Sequence, residues 1–216
     1  MKKLVLYDLD GTLVDTRQDL VQAVNQMLTE MGISPLPADQ IVRLVGRGLR
    51  QLVTDCLKTQ DPQRIERGIQ IFQPYYADHL LDHSRLYPGA RELLEYFKDR
   101  KQAVLTNKPN PFSLEILMGL GVRSFFSEII AGDSGGPKKP DPAALGSLLS
   151  RQGVRPAEAL FVGDSAIDVQ TGRNAGVETV IVLHGFSDEN ETRASKPDLT
   201  VRNLGELKGL AEIRNW

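Results

Sequence analysis

The 216-residue sequence predicts an α/β fold, a doubly wound, Rossmann-like parallel sheet with an all-helical subdomain inserted into it. Three observations predict it. Six short apolar or β-branched runs alternate with helix-type patterns, the order that builds a parallel sheet covered on both faces. Between the first and second runs, residues 15–100 hold no convincing strand, too long a stretch for one crossover. Finally, acidic residues follow directly on two of the runs, where ligands gather in open α/β sheets.

The first strand is predicted at residues 4–7 (LVLY), running straight into DLDGTLVDT at 8–16. Helical spacing then takes over: Leu20, Val24, Met27 and Leu28, next Ile41, Leu44 and Val45, next Leu49, Leu52, Val53 and Leu57, and again over 65–81. The insertion is therefore expected at 16–84, with 1–15 and 85–216 forming the core. Tyr87-Pro88-Gly89 marks the turn back, before an amphipathic helix through Leu93, Leu94 and Phe97. The remaining strands are predicted at 102–105, 128–131, 159–162, 179–183 and 199–201. Neither Gly-rich nor Ser-rich linkers interrupt this plan, so the two joins read as short hinges.

Composition narrows the partners. A formal charge of -2, with 25% charged residues, provides no basic field for nucleic acid. Cys56 is the one cysteine, which excludes an internal disulfide and a multi-cysteine zinc site and is expected to be inert packing. Asp8 breaks the apolar stretch after Lys2-Lys3 too early for a signal peptide, and no run approaches the ~18 apolar residues of a membrane span. These features lead to the expectation of a cytoplasmic protein, monomer or homodimer, acting on a small molecule rather than on nucleic acid or a membrane.

Asp8 and Asp10 alone would also suit a helix-capping turn. Other segments add weight. The run 102–105 ends in Thr106-Asn107, a hydroxyl and an amide suited to phosphoryl oxygens. Gly135-Gly136-Pro137-Lys138-Lys139-Pro140 holds a lysine between prolines, whose fixed φ restricts the loop. The run 159–162 leads into GDSAID, with Asp164 and Asp168 four apart and on one face if a helix starts there. Two acidic pairs facing each other repel unless a cation lies between them, which points to Mg2+.

Together DLDGT, Thr106-Asn107, the Lys139 loop and GDSAID resemble the haloacid dehalogenase superfamily of phosphatases, in its order and over essentially the whole chain. The resemblance implies that Asp8 attacks phosphorus, Asp10 acts as general acid and then base, Thr106 holds a phosphoryl oxygen, and Lys139 bridges nucleophile and phosphoryl group. It implies Mg2+ on Asp8, the Asp10 carbonyl and Asp164, with Asp168 acting through water or by fixing Lys139. Gly11, Thr12, Asn107 and Lys108 are expected against the phosphate or substrate. A dehalogenase needs neither the second carboxylate nor the metal, so Asp10 argues for phosphoryl transfer.

Within the superfamily the chain is most similar to the phosphoglycolate phosphatase subfamily, through VDTRQDLVQAVNQML, Leu44-Val45-Gly46-Arg47-Gly48, Tyr87-Pro88-Gly89 and Thr106-Asn107-Lys108. Related β-phosphoglucomutases carry a histidine where Leu20 stands here, and leucine transfers no proton. Arg47, between two glycines, is expected to read a carboxylate or other polar end of the substrate. His79 and His83 lie four apart on a predicted helix, although a solvated face explains them better than a metal site. Tyr75 and Tyr76 read as packing or contacts between the two units, and His184 as a residue at the rim of the site.

Overall fold

A computed structural model describes residues 1–216. The chain opens with β1 (Leu4–Tyr7), turns through the acidic motif and forms a short β2 (Val14–Asp15). Four helices follow without a strand: α1 (Arg17–Glu30), α2 (Ala38–Val42), α3 (Leu49–Leu57) and α4 (Pro62–Asp78). After β3 (Arg85–Leu86), strands and helices alternate as α5 (Ala90–Tyr96), β4 (Lys101–Leu105), α6 (Phe112–Gly119) and β5 (Glu128–Ile130). The alternation continues through α7 (Ala143–Gln152), β6 (Ala159–Gly163), α8 (Ala166–Ala175) and β7 (Glu178–Val182). It ends with α9 (Glu189–Ala194), β8 (Leu199–Val201) and α10 (Leu204–Arg214).

Six strands form one parallel sheet in the order β5-β4-β1-β6-β7-β8. Tyr7 lies opposite Val104 on one side and Val162 on the other, so β1, β4 and β6 end close together. The residues just past those ends are Asp8, Thr106 and Asp164. β1 is also where the strand order reverses, the crevice in which open α/β sheets bind ligands.

All four β1 side chains are buried, as in a strand covered on both faces. Leu4 and Leu6 share a cluster with Leu145, Leu148 and Leu149 of α7. Val5 and Tyr7 point the other way, into a cluster holding Leu93 and Leu94 of α5 and Ile116 and Leu117 of α6. That second cluster also takes Val24, Met27, Leu52 and Phe72 from α1, α3 and α4. The helical segment therefore shares its apolar core with one face of the sheet.

The antiparallel ribbon pairing Val14 with Leu86 and Asp15 with Arg85 is not foreseen in the sequence, because two-residue strands leave no periodic signal. It joins the chain where the helices begin and end. Nearby, the buried Asp19 carboxylate accepts bonds from the His83 amide, the Ser84 amide and the Ser84 hydroxyl at 2.6 to 3.2 Å.

Two local expectations change. Leu44 and Val45 lie in the turn after α2 rather than on a helix. α4 stops at Asp78, so His79 and His83 share no helix face, and His79 Nδ1 instead lies 2.7 Å from Asp82 Oδ2. No helix is long and apolar enough to cross a membrane.

Candidate active site

Asp8 continues β1 by one residue, its amide donating to the Val162 carbonyl at 2.9 Å, and this fixes where its carboxylate leaves the sheet. Oδ1 accepts from the Leu9 amide at 2.7 Å and Oδ2 lies 2.9 Å from Lys139 Nζ. The ammonium reaches Asp168 Oδ1 at 2.7 Å, so Lys139 bridges two carboxylates. Asp168 is held in turn by the Ser165 hydroxyl at 2.6 Å and the Ser165 amide at 3.1 Å. Ser165 is the N-cap of α8 and Asp168 its third residue, a reciprocal capping box. The helix thus begins two residues after Asp164, and the two acids converge through this cap rather than along one helix face.

Asp164 completes the cluster: oxygens of Asp8, Asp164 and Asp168 all lie within 4.8 Å of one another, and all three residues are buried. Asp164 Oδ1 accepts from the Thr12 hydroxyl at 3.2 Å and Oδ2 from the Phe186 amide at 2.8 Å. Three carboxylates against one ammonium leave two formal negative charges in a buried space. Burial, reinforced by Asp168 and opposed by Lys139, pushes Asp8 up to about 6. Burial, with Asp168 and Asp8 beside it, pushes Asp164 up to about 8. Burial would lower Lys139, yet Asp168 and Asp8 hold its ammonium above the usual lysine range. The donor set is all oxygen and over-charged, which fits a hard divalent cation.

Asp10 sits apart from this cluster. Its Oδ1 accepts from the Thr16 hydroxyl at 2.6 Å and from Lys108 Nζ at 3.1 Å. Lys108 Nζ also donates to the Tyr76 hydroxyl at 2.7 Å, linking α4 to the loop after β4. Asp8, Asp10, Thr106, Asn107, Lys108 and Asp164 line one cavity of about 60 Å3, closed by Leu20, Leu49, Leu52, Phe72, Tyr76 and Phe112 among others. Lys139 and Asp168 lie outside the lining, Lys139 against Asp8 and Asp168 against Lys139.

Several expected residues serve otherwise. Gly11 and Thr12 do not line the cavity but support Asp164: a β-carbon on Gly11, at φ +78°, would collide with that carboxylate, and Thr12 is fully buried beneath it. Asn107 lines the cavity, but its side chain is engaged with loops, donating to the Gly46 and Lys139 carbonyls and accepting from the Lys139 amide at 2.9 to 3.0 Å. Arg47 is exposed and outside the lining. Its loop meets the core through Gly46 and Gly48, at φ +113° and +89°, so backbone rather than guanidinium faces the site.

Thr16 and Tyr76 are the site residues that motif reading missed. Thr16 closes the DLDGTLVDT run and was legible as a hydroxyl near Asp10, whereas nothing local marks Tyr76 as more than packing. His184 stacks on Tyr87 with ring centroids 3.9 Å apart, and its Nε2 lies 3.1 Å from the Thr12 carbonyl.

The model of the family described as haloacid dehalogenase-like hydrolase matches residues 5–182, which include the whole carboxylate cluster. The chain belongs to that family. A phosphoglycolate phosphatase of Pseudomonas putida is 37% identical to this hydrolase, over 96% of this chain and 79% of its own. One from Chromobacterium violaceum is 36% identical over 96% of both chains. A crystal structure described as a predicted phosphoglycolate phosphatase from Haemophilus somnus superposes with a TM-score of 0.93 at 30% identity, covering 97% of this hydrolase and 98% of its own chain.

Proposed function

We propose that this hydrolase is a Mg2+-dependent phosphomonoesterase acting on a small phosphorylated metabolite, with 2-phosphoglycolate the favoured substrate. The observation that carries the reading is Lys139, held between Asp8 and Asp168 beside Asp164, because an ammonium against Asp8 favours its ionised, nucleophilic form. The names of the relatives support the choice of substrate.

In this reading Asp8 Oδ attacks phosphorus and the ester P–O bond breaks, leaving an aspartyl-phosphate. Asp10 gives its proton to the departing alkoxide, then takes one from the water that displaces phosphate from Asp8. Thr106, at the neighbouring strand end, donates to a phosphoryl oxygen. Lys139 offsets charge on Asp8 and on the transferring group, and Asp168 keeps the lysine aimed. Asp8, the Asp10 carbonyl and Asp164 would hold Mg2+. When bound, the ion stabilises negative charge on the transferring phosphoryl group.

The helical segment 16–84 is proposed as a cap on a core of 1–15 and 85–216, hinged at the β2–β3 ribbon and excluding water when shut. Leu20 lines the cavity, where a sugar-phosphate mutase needs a proton-transferring side chain. The test is phosphate release from 2-phosphoglycolate with Mg2+, with EDTA, and by Asp8→Asn. Turnover is expected only in the first case, and substantial release by the variant would overturn the reading.

A further inference from the structure

We infer that Lys108, held by the Tyr76 hydroxyl of α4, binds the anionic end of the substrate's leaving group. The inference rests on the phosphomonoesterase reading and names the substrate class within it: short phosphomonoesters carrying a second negative charge.

Lys108 is the only cation lining the cavity, where the other charged groups are Asp8, Asp10 and Asp164. The helical segment contributes Leu20, Leu49, Leu52 and Phe72 to the wall, none of which offers a side-chain donor, and Tyr76, which is neutral. Arg47, in the same segment, is exposed and does not reach the wall. A carboxylate on the leaving group therefore has one side chain of opposite charge to meet.

That side chain is held for the task. Lys108 is 6% exposed, and its ammonium has three N–H donors. One direction goes to Asp10, with Oδ1 at 3.1 Å and Oδ2 at 3.3 Å, and a second to Tyr76 Oη at 2.7 Å. With both Asp10 oxygens sharing one N–H, a third donor remains for a ligand. The ammonium also lies 4.6 Å from the Tyr76 ring centroid, so α4 fixes it through both hydroxyl and ring.

The experiment compares 2-phosphoglycolate with ethyl phosphate, which has the same carbon count and a methyl in place of the carboxylate. Wild type, Lys108→Met, Lys108→Arg, Tyr76→Phe and Arg47→Ala are measured for kcat and KM on both. Wild type is expected to prefer 2-phosphoglycolate. Lys108→Met should reduce that preference about 10- to 100-fold, the range of a hydrogen bond to a charged group, with the loss in KM for the acidic ester. A loss common to both esters reports Asp10 instead. Lys108→Arg should keep part of the preference, Tyr76→Phe should weaken it several-fold, and Arg47→Ala should leave it unchanged.

Equal losses on both esters in Lys108→Met would report Asp10 alone and overturn the inference. A wild type that hydrolyses both esters without preference would also overturn it, while leaving the phosphatase reading intact. Failure to release phosphate from either would sink both. If Lys108→Met does not fold, as judged by thermal melting, Lys108→Arg and Tyr76→Phe decide: an unchanged preference in both overturns the assignment.

Discussion

Asp168 and Lys139 form a buried pair, Oδ1 to Nζ at 2.7 Å, in which the carboxylate's other oxygen is capped by Ser165. Asp168 is thereby committed to orienting the lysine and starting α8, which favours the fixing role over metal binding through water. Asp168→Asn removes the charge partner but keeps the shape. It should lower kcat on the order of 10²-fold with little change in KM, the scale of losing one preorganised electrostatic contact. Asp168→Ala should also cost about 1–3 kcal/mol in stability, because it removes the capping-box acceptor of Ser165 and one of the two carboxylates on Lys139, which keeps Asp8 at 2.9 Å. Steady-state kinetics with urea unfolding check both, and an unchanged kcat in Asp168→Asn would contradict the assignment.

Metal-free stability should depend on pH with a definite sign. Asp8 at about 6 and Asp164 at about 8 lie above the ~3.9 of an unfolded aspartate. The folded state therefore binds more protons between those limits, and its stabilisation, full below pH ~4, is lost as pH rises through 6 and 8. In EDTA, Tm should fall from pH 5.5 to pH 8.5. Mg2+ should restore it most at the higher pH, where the carboxylates are ionised. A Tm that rises with pH in EDTA would count against the over-charged cluster.

Asp19 links the two ends of the helical segment and uses no cation to do so. Asp19→Ala leaves the His83 and Ser84 donors unpaired, and each lost bond to a charged acceptor is worth about 1.5–3 kcal/mol. A destabilisation of about 3 kcal/mol or more is expected in denaturant unfolding. Mg2+ affinity should be retained in the fraction that folds; a loss of less than about 0.5 kcal/mol, the size of an ordinary surface change, would contradict this role.

Cys56 is buried in the helical segment, and burial, aided by Asp55, pushes its thiol up to about 12. At pH 8 it should react with a disulfide reagent such as DTNB only as fast as the protein opens. Rapid stoichiometric labelling of the native protein would contradict this.

The sheet was legible because its strands are continuous apolar runs ending in polar motifs. All six predicted runs coincide with strands to within a residue or so, including 102–105 as Lys101–Leu105 and 179–183 as Glu178–Val182. The core acids were legible for the same reason, since a strand end aims whatever follows it. The β2–β3 ribbon was not, because two residues carry no period. Lys108 and Arg47 were both expected against the substrate, yet Lys108 lines the cavity and Arg47 lies exposed outside it, for a reason local sequence cannot express. Lys108 follows a central strand and is drawn inward by Asp10 and Tyr76, whereas flanking glycines turn the Arg47 loop so that its backbone faces the core. Tyr76 reads as packing on an amphipathic helix, and only the fold brings its hydroxyl to Lys108.

The central claim is that Asp8 carries the phosphoryl group between the two half-reactions. The most direct measurement is borohydride trapping during turnover of 2-phosphoglycolate, in an Asp10→Asn background that slows dephosphorylation, followed by mass spectrometry of the N-terminal peptide. Reduction of an acyl phosphate at Asp8 should convert residue 8 to homoserine only when substrate and Mg2+ are both present. Phosphate release without homoserine at position 8, or with the modification at another carboxylate, would contradict the account.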